Sequence, residues 1–360
     1  MEELEAKKLL EKHHFQVSDI KRIPEGFNNY VFDVVLLDGF QVIAKIKKRR
    51  VGKEQRESLF NGLVSSGREG AICGLVRKKA VLPAPKVYLK HDSEEVSLLV
   101  TEKLKGVTWC QYLRHCNFSR EKSLLSLEEL GKDIAKLHQV TFQSFGDIMD
   151  EETVGPEIYH TFTDRFLYVM NIRMDRALKR GVFTKNEMQI IRNFFVSECY
   201  DVATSFHVKV SKPVMVFTDM HPDNFLVDET GRPSGYFDLE ACQAAPPVLE
   251  FCGLKLFLFN YFDEAYFRAA EEAFFCGYKK QGGTYDRLDS ANIKLENVLA
   301  TGRILELTES YFQVKDGLRN TWSDRFKILL WQTIEEKQPN YQTIGEIYRE
   351  KTKQPKKTNH

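Results

Sequence analysis

The chain has 360 residues, and its 52 Lys and Arg residues nearly balance its 51 Asp and Glu residues, so the formal net charge is +1. A general binder of nucleic acids or anionic membranes would be expected to carry a basic excess, and this balance argues against both partners. Hydrophobic residues make up 42% and charged residues 29% of the sequence, which is an ordinary globular composition. We therefore expect two lobes or domains.

The sequence carries no sign of export or of a membrane anchor. The apolar stretch 251–262 is interrupted by Lys255 and is shorter than the ~20 residues that span a bilayer. The first residues lack the apolar core and the cleavage site of a signal peptide. The seven cysteines are scattered and form no CxxC pair, which favours reduced thiols. We expect a cytoplasmic protein.

The first third of the chain predicts a small antiparallel sheet with one main helix. Two β-rich runs, at 30–37 and 40–46, are joined by Asp38-Gly39, a pair that favours a two-residue hairpin because both turn residues need positive φ. Prolines 83 and 85 stop any helix before them. The other elements expected here are helices at 4–14 and 53–79 and strands at 87–89 and 96–101.

From residue 107 the pattern is mostly helical. Ser126 and Glu129 match a capping box, which predicts the start of a helix. Apolar residues then recur at helical spacing, at Leu127, Leu130, Ile134 and Leu137. Further helices are expected at 157–180, 184–207, 263–280, 291–312 and 322–336, around a β-like island at 214–237.

These elements predict an α+β fold with a ligand cleft between its two parts. We expect an N-lobe at 1–104, a helical C-lobe at 105–350 and a disordered basic tail at 351–360. The charge divides unevenly between them. Residues 1–104 carry 19 positive and 15 negative side chains (+4), and residues 105–350 carry 29 and 36 (−7).

The island holds two carboxylate side chains and one amide side chain. Asp219 is followed five positions later by Asn224, and Asp238 ends the next strand. Phosphoryl transfer needs a carboxylate near the attacking hydroxyl, and an amide and a carboxylate that hold Mg²⁺ against the phosphates. Such residues are common in loops, where they only make turns, so this set needs support from elsewhere.

That support comes from the order of further motifs. The runs TDMHPDNFLV (218–227) and YFDLE (236–240) resemble the catalytic and metal-binding segments of the aminoglycoside phosphotransferase and choline kinase-like family. The resemblance continues through PEGFNNYVF (24–32), IAKI (43–46), REGAI (68–72), LLVTEKLKG (98–106) and LGKDIAKLH (130–138), and covers roughly 20–260. It implies a bilobal protein-kinase-like fold, with a small antiparallel-sheet N-lobe and a larger, mainly helical C-lobe.

The resemblance also implies residue roles. Asp219 would orient the acceptor hydroxyl and receive its proton, and Asn224 and Asp238 would coordinate Mg²⁺. Lys45, held by Glu69, would neutralise phosphate charge. Strand alternation agrees with this, because Lys45 lies on the face opposite to Val42, Ala44 and Ile46.

The remaining implied contacts belong to the nucleotide. Gly26 and Asn29 would lie in the loop that covers the phosphates. The main chain near Thr101 and Lys103 would bind adenine. The preference for ATP or GTP and the oligomeric state stay open.

Two departures from the family pattern leave a second hypothesis. Phe217 stands where the family usually has His, and Glu25-Gly26 replaces two glycines. A nucleotide-binding regulatory module without turnover is therefore the alternative to an enzyme. A protein kinase is disfavoured, because nothing after Asp238 resembles an activation segment closed by A-P-E.

The leading hypothesis is an ATP- and Mg²⁺-dependent kinase that phosphorylates a hydroxyl of a small molecule. The acceptor would be an aminoglycoside, a choline-like compound or another hydroxy or amine compound. The negative charge of 105–350 weakly favours a cationic acceptor.

Overall fold

A computed structural model describes residues 1–23, 29–48, 65–79, 81–117, 119–150, 153–159, 161–209, 212–258, 264–312 and 317–353. The N-terminal part contains a five-stranded antiparallel sheet in the order β1-β2-β3-β5-β4. Its strands are β1 (Val17–Ile23), β2 (Tyr30–Leu36), β3 (Gln41–Lys48), β4 (Val87–Asp92) and β5 (Val96–Glu102). Two helices accompany the sheet, α1 (Glu3–Lys12) and α2 (Ser66–Lys78).

The two faces of this N-terminal sheet serve different purposes. Successive strand residues point to opposite faces, so one face can be apolar and the other polar. On the first face, side chains of β2 and β3 pack with α1 in a small core made by Ala6, Leu10, Val17, Phe32, Val34, Val42, Ala44, Ile46, Leu98 and Val100. Lys45 lies on the other face, in register with Val31 and Leu99. The predicted facing of Lys45 is therefore confirmed.

The β2–β3 hairpin exists, but its turn differs from the predicted one. Gly39 donates its N–H to the Leu36 carbonyl at 2.9 Å and has φ +83°, whereas Asp38 lies outside the left-handed region. The Asp38 side chain accepts the N–H of Phe40 at 2.9 Å. Four residues separate the strands, so a single left-handed glycine closes the loop, and the expectation of two positive φ angles was wrong.

The rest of the chain is mainly helical and carries two small sheets. One sheet has the order β11-β10-β6 and the other the order β8-β7-β12-β9. The strands are β6 (Val107–Thr108), β7 (Phe145–Ile148), β8 (Val154–Tyr159), β9 (Val214–Phe217), β10 (Phe225–Val227), β11 (Pro233–Tyr236) and β12 (Cys242–Ala245). The helices are α3 (Trp109–His115), α4 (Arg120–Leu137), α5 (Phe162–Lys179), α6 (Lys185–Lys209), α7 (Pro247–Phe257), α8 (Glu264–Lys280), α9 (Ser290–Phe312), α10 (Gly317–Glu336) and α11 (Tyr341–Lys353).

Several predicted boundaries change. Helix α4 begins at Arg120, and Ser126 lies inside it with its hydroxyl donated to the Lys122 carbonyl at 3.1 Å, so the capping box was wrong. The first residues of the predicted helix at 157–180 belong to strand β8, and helix α5 begins only at Phe162. Helix α11 extends to Lys353, into the segment expected as a tail. Residues 53–64 of the predicted helix at 53–79, together with 354–360 of the predicted tail, lie outside the described residues.

The predicted apolar stripe of α4 is confirmed. Its four residues, Leu127, Leu130, Ile134 and Leu137, are fully buried in the main core. Helix α2 shares this core through Ile72, Leu75 and Val76, although it precedes β4 and β5 in the chain. The packing of α2 therefore links the N-terminal sheet to the helical part. None of the described helices combines the length and the apolar composition that a membrane span requires.

Helices α4 and α8 approach so closely that glycine is needed on both. A Cβ atom at Gly277 would lie 1.8 Å from the Glu128 carbonyl oxygen, and one at Gly131 would lie 2.0 Å from the Phe274 carbonyl oxygen. Both contacts are far inside van der Waals distance and involve backbone, which cannot rotate away. The two helices would have to separate to admit either methyl group.

We expect Gly277→Ala to lower the melting temperature clearly, because overpacking costs about 1–3 kcal/mol and exceeds the ~1 kcal/mol that alanine gains over glycine in a helix. Gly74→Ala in α2 is the control, because a Cβ atom there meets nothing within 4 Å. Thermal unfolding followed by circular dichroism checks both variants. Equal melting temperatures for Gly277→Ala and Gly74→Ala would contradict the close helix contact.

Candidate active site

Lys45 lies among three carboxylates contributed by two other segments of the chain. Its Nζ atom is 2.8 Å from Glu69 Oε2 and 3.2 Å from Glu240 Oε2, and it also contacts Asp238 Oδ1. The Lys45 side chain is 15% exposed and that of Glu69 is 7% exposed, whereas Asp238 keeps 35% exposure. The structure thus brings the predicted Lys45, Glu69 and Asp238 together.

Local structure explains how each of these residues reaches the site. Pairing of β3 with β2 and β5 fixes the direction of Lys45, and Glu69 lies in the first turn of α2, which the side chain of Ser65 caps by accepting the Arg68 N–H at 3.0 Å. Asp238 follows β11 with a left-handed backbone, φ +59°. Such a conformation is uncommon outside glycine and costs about 1–3 kcal/mol, so the surrounding structure must hold it. A 3-10 turn at Leu239–Ala241 then presents Glu240.

The pKa values of the four groups show how unbalanced their charges are. Burial acts to lower the pKa of Lys45, but Asp238, Glu69 and Glu240 together raise it well above its ordinary value. Burial raises the pKa of Glu69 to about 7, against the effect of Lys45, and burial also raises the pKa of Glu240. Burial opposes ionisation of Asp238 as well, yet Lys45 holds the pKa of Asp238 below its ordinary value. One ammonium therefore faces more negative charge than it can balance.

This excess of negative charge can accommodate a cation. Oxygen atoms of Glu69, Asp238 and Glu240 all lie within 4.8 Å of one another. Carboxylate oxygens are hard ligands of the kind that Mg²⁺ prefers. The donor set therefore fits a magnesium ion, and it includes Glu240, for which no role was predicted.

The predicted catalytic loop follows β9. Asn224 donates its side-chain amide to the Asp219 carbonyl at 2.7 Å, and its main-chain N–H to the His221 carbonyl at 2.9 Å. The Phe237 N–H bonds to the Asn224 carbonyl at 3.3 Å, which joins the loop to the residue before Asp238. The loop thus orients the Asn224 amide through its own main chain and stays attached to the segment that carries Asp238 and Glu240.

Asp219 is half-buried in a charged environment. Burial raises the pKa of Asp219, Asp238 raises it further, and His221, Arg303 and Lys45 oppose the rise. The preceding Thr218 donates its hydroxyl to the Ala241 carbonyl at 3.0 Å. A carboxylate with a raised pKa is a better proton acceptor than an ordinary aspartate.

The other described candidates, Asn29, Thr101 and Lys103, lie on or next to strands of the N-terminal sheet. Thr101 is buried on β5 opposite Ile43, and Lys103 forms a 2.6 Å ion pair with Asp33 of β2. Asn29 lies immediately before β2, and Gly26 falls outside the described residues together with Glu25. Their nucleotide contacts stay predictions.

A buried carboxylate holds the end of β9, just before the predicted catalytic loop. Glu250 Oε2 accepts the N–H of Phe217 at 2.5 Å and lies 3.8 Å from His138 Nε2. The Phe217 ring is fully buried in the main core. The departure from the family pattern at Phe217 therefore leaves the strand anchored through its main chain. Sequence reasoning missed Glu250, because an isolated Glu within an apolar run gives no signal of its partner.

A profile of the phosphotransferase enzyme family (APH) matches residues 19–290 of the chain. The chain therefore belongs to this family and is a phosphotransferase, which confirms the resemblance found in its motifs. No curated protein matches the chain in sequence.

Solved structures with the same fold include the gentamicin complex of APH(2″)-IIa, with 14% identity, a TM-score of 0.59, and coverage of 96% of this chain and 98% of that one. The ternary complex of APH(2″)-IIa with streptomycin and ATP has 13% identity and a TM-score of 0.56, with coverage of 97% of this chain and 99% of that one. An ethanolamine kinase from Plasmodium vivax has 14% identity and a TM-score of 0.55, with coverage of 88% of this chain and 83% of that one. At these identities the likeness concerns the fold, and it confirms the predicted bilobal α+β architecture.

The Glu250 carboxyl generates a prediction about pH. Burial raises the pKa of Glu250 to about 8 from an ordinary value of 4.5. Between these values the folded protein holds a proton that the unfolded chain releases, so this group costs stability progressively as the pH rises from about 4.5 to 8. Glu250→Gln cannot ionise and keeps an oxygen that accepts the Phe217 N–H.

We therefore expect the stability of Glu250→Gln relative to the native protein to improve between pH 5 and pH 8, by at most about 1.4 kcal/mol per pH unit. Melting temperatures of both proteins across this range provide the measurement. His138 titrates in both proteins and cancels in the difference. A gap that stays constant from pH 5 to pH 8 would show that Glu250 is ionised in the folded state.

Proposed function

We propose that this phosphotransferase uses Mg²⁺ and ATP to phosphorylate a hydroxyl group of a small molecule. The observation that carries the proposal is the meeting of Lys45 with Glu69 and Asp238, because three distant segments of the chain converge there. A lysine beside acidic metal ligands is the arrangement that phosphoryl transfer requires. The motifs around these residues and membership of the family support the same reading.

In this proposal the residues of the cluster divide the work. Lys45 binds phosphate oxygens and is held in place by Glu69, while Asp238 and Asn224 hold Mg²⁺, with Glu240 beside them. The metal ion, when bound, neutralises the charge that develops on the phosphates. The Gly26 and Asn29 segment covers the phosphates, and the main chain near Thr101 and Lys103 binds the base.

Asp219 acts on the acceptor. It orients the hydroxyl and takes its proton, while the acceptor oxygen forms a bond to the γ-phosphorus. The bond between that phosphorus and the bridging oxygen breaks, and ADP leaves with the electron pair. The raised pKa of Asp219 suits this role, because a base works best when its pKa lies nearer to the working pH.

Charge gives the proposal an acceptor class. The residues 105–350 carry a net charge of −7. A negative surface attracts cationic compounds and raises their encounter rate. We infer that the acceptor is a hydroxy compound with an amine or quaternary ammonium group. All seven cysteines are free thiols, which is consistent with our proposal that the enzyme acts in the cytoplasm.

Labelled ATP, Mg²⁺ and a panel of cationic, neutral and anionic hydroxy compounds test this function. We expect phosphorylation of at least one cationic compound, and a loss of about 10²–10⁴-fold in kcat for Asp219→Asn because the proton acceptor is removed. Asp223→Asn is the matched control, since it makes the same chemical change at an exposed position of the same loop. It should retain native turnover.

The same assay separates the enzyme from the regulatory module. Calorimetry should detect Mg-ATP binding to both the native protein and Asp219→Asn, and only the native protein should transfer phosphate. Binding without transfer to any compound would favour the module. Equal turnover by Asp219→Asn and the native protein would contradict the proposed role of Asp219 as proton acceptor.

A further inference from the structure

Arg68, the residue before Glu69, is buried as deeply as a core residue. Only 2% of Arg68 is exposed, and its side chain is fully covered. Burying a guanidinium group is costly unless its N–H groups find partners. Its burial therefore requires specific contacts, and these contacts reveal what the residue holds.

The guanidinium group bonds to main-chain carbonyls of the helical part. Nε donates to the Ile148 carbonyl at 2.8 Å, Nη1 donates to the Glu240 carbonyl, and Nη2 donates to the Cys242 carbonyl. The Asp147 carboxylate lies 4.0 Å from Nη2 and compensates part of the charge. Two of the three carbonyls belong to the segment that immediately follows Asp238.

The same helix turn is fastened to the N-terminal sheet. The Gly67 N–H bonds to the Asp92 carboxylate at 2.8 Å, and the Ser66 N–H bonds to the Ser97 hydroxyl at 3.0 Å. These contacts attach the start of α2 to β4 and β5. Arg68 therefore reaches from a helix turn fixed on the sheet into the segment that carries Asp238 and Glu240.

We propose that Arg68 is a positioning residue that holds Glu69 of α2 and the Asp238–Glu240 segment at the separation that the nucleotide phosphates and their metal ion require. This inference rests on the proposed function and deepens it. Glu69 and Arg68 are adjacent in α2, so the bonds of Arg68 to the Glu240 and Cys242 carbonyls fix both sides of the Lys45 cluster. The phosphate site is then assembled by the fold itself.

Arginine is needed here because its contacts diverge. A guanidinium group presents five N–H donors in a rigid planar fork, whereas an ammonium group is a single point on a flexible stem. Lysine at this position can reach some of the three carbonyls but not all of them in the same geometry. Arg68→Lys should therefore rescue only part of what Arg68→Met loses.

Two measurements on the full-length protein test the proposal. The first is the rate at which an amine-modifying reagent labels Lys45 in nucleotide-free protein, read by mass spectrometry, because displaced carboxylates no longer enclose the Lys45 ammonium group. We expect faster labelling in Arg68→Met than in the native protein, and an intermediate rate in Arg68→Lys. The second is kcat, which should fall by about tenfold or more, with a smaller change in KM for Mg-ATP.

Arg77→Met is the matched control. Arg77 lies on the same helix and donates to the Ala84 carbonyl at 2.7 Å and to the Glu102 carboxylate at 3.5 Å, and both partners belong to the N-terminal part of the chain, apart from the Asp238–Glu240 segment. The reagent should label Lys45 in Arg77→Met at the native rate, and this variant should turn over substrate as the native protein does. Circular dichroism establishes that the variants are folded.

The outcomes are distinguishable. Folded Arg68 variants with native Lys45 labelling and native kcat would overturn the positioning role. Unfolding of both Arg68 variants, with Arg77→Met folded, would also overturn it, because Arg68 would then serve folding in general. If the native protein phosphorylates nothing but the Arg68 variants expose Lys45 to labelling, the proposed function fails and the positioning role of Arg68 in the cluster stands.

Discussion

The site depends on one half-buried cation that faces three carboxylates. Lys45 is held on the face of the N-terminal sheet opposite its apolar core, and Glu69, Asp238 and Glu240 converge on its ammonium group from α2 and from the segment after β11. A buried charge without compensation is costly, so each of these groups limits where the others can lie. The remaining imbalance is negative, so the donor set suits a divalent cation, and burial raises the pKa of Glu69 to about 7. In the proposed function, the carboxylates of this cluster would bind Mg²⁺ and its ammonium group would bind a phosphate oxygen.

Much of the surrounding structure keeps these charges in place. Main-chain pairing fixes Lys45, a capped helix turn presents Glu69, and the left-handed backbone at Asp238 turns the chain so that Glu240 follows it into the cluster. Glu250 anchors the strand that leads to Asp219, although it lies outside the cluster. Helix α2 packs in the main core while its first turn is fastened to the sheet. The two halves of the site thus belong to one connected framework.

Sequence reasoning succeeded where the signal was local or periodic. Strand alternation gave the facing of Lys45, helical spacing gave the buried stripe of α4, and the resemblance gave Glu69 as the ion-pair partner of Lys45. It failed where tertiary contacts decide. The capping pattern at Ser126 is locally plausible, yet six residues before it join the same helix. The hairpin turn depends on the number of residues that strand register leaves unpaired, and the dipeptide alone does not specify it.

The missed site residues share one property. Arg68, Glu240 and Glu250 are charged residues whose partners are main-chain groups or residues far away in sequence, so their surroundings leave no local mark. Glu240 lies two residues after Asp238, and this spacing could have suggested that a second carboxylate joins the site. For Arg68, nothing in the sequence distinguishes it from an exposed helix residue. Burial of such groups emerges only once the fold is assembled.

The central claim is that the Lys45 cluster binds the metal ion and phosphates of a nucleotide. A crystal structure with Mn²⁺ and a non-hydrolysable ATP analogue tests it most directly, because anomalous scattering locates the metal. We predict a metal peak bound by Asp238 and Asn224, within reach of Glu240, with Lys45 Nζ on a phosphate oxygen. A nucleotide bound elsewhere, or a metal peak without contact to Asp238, would contradict the account.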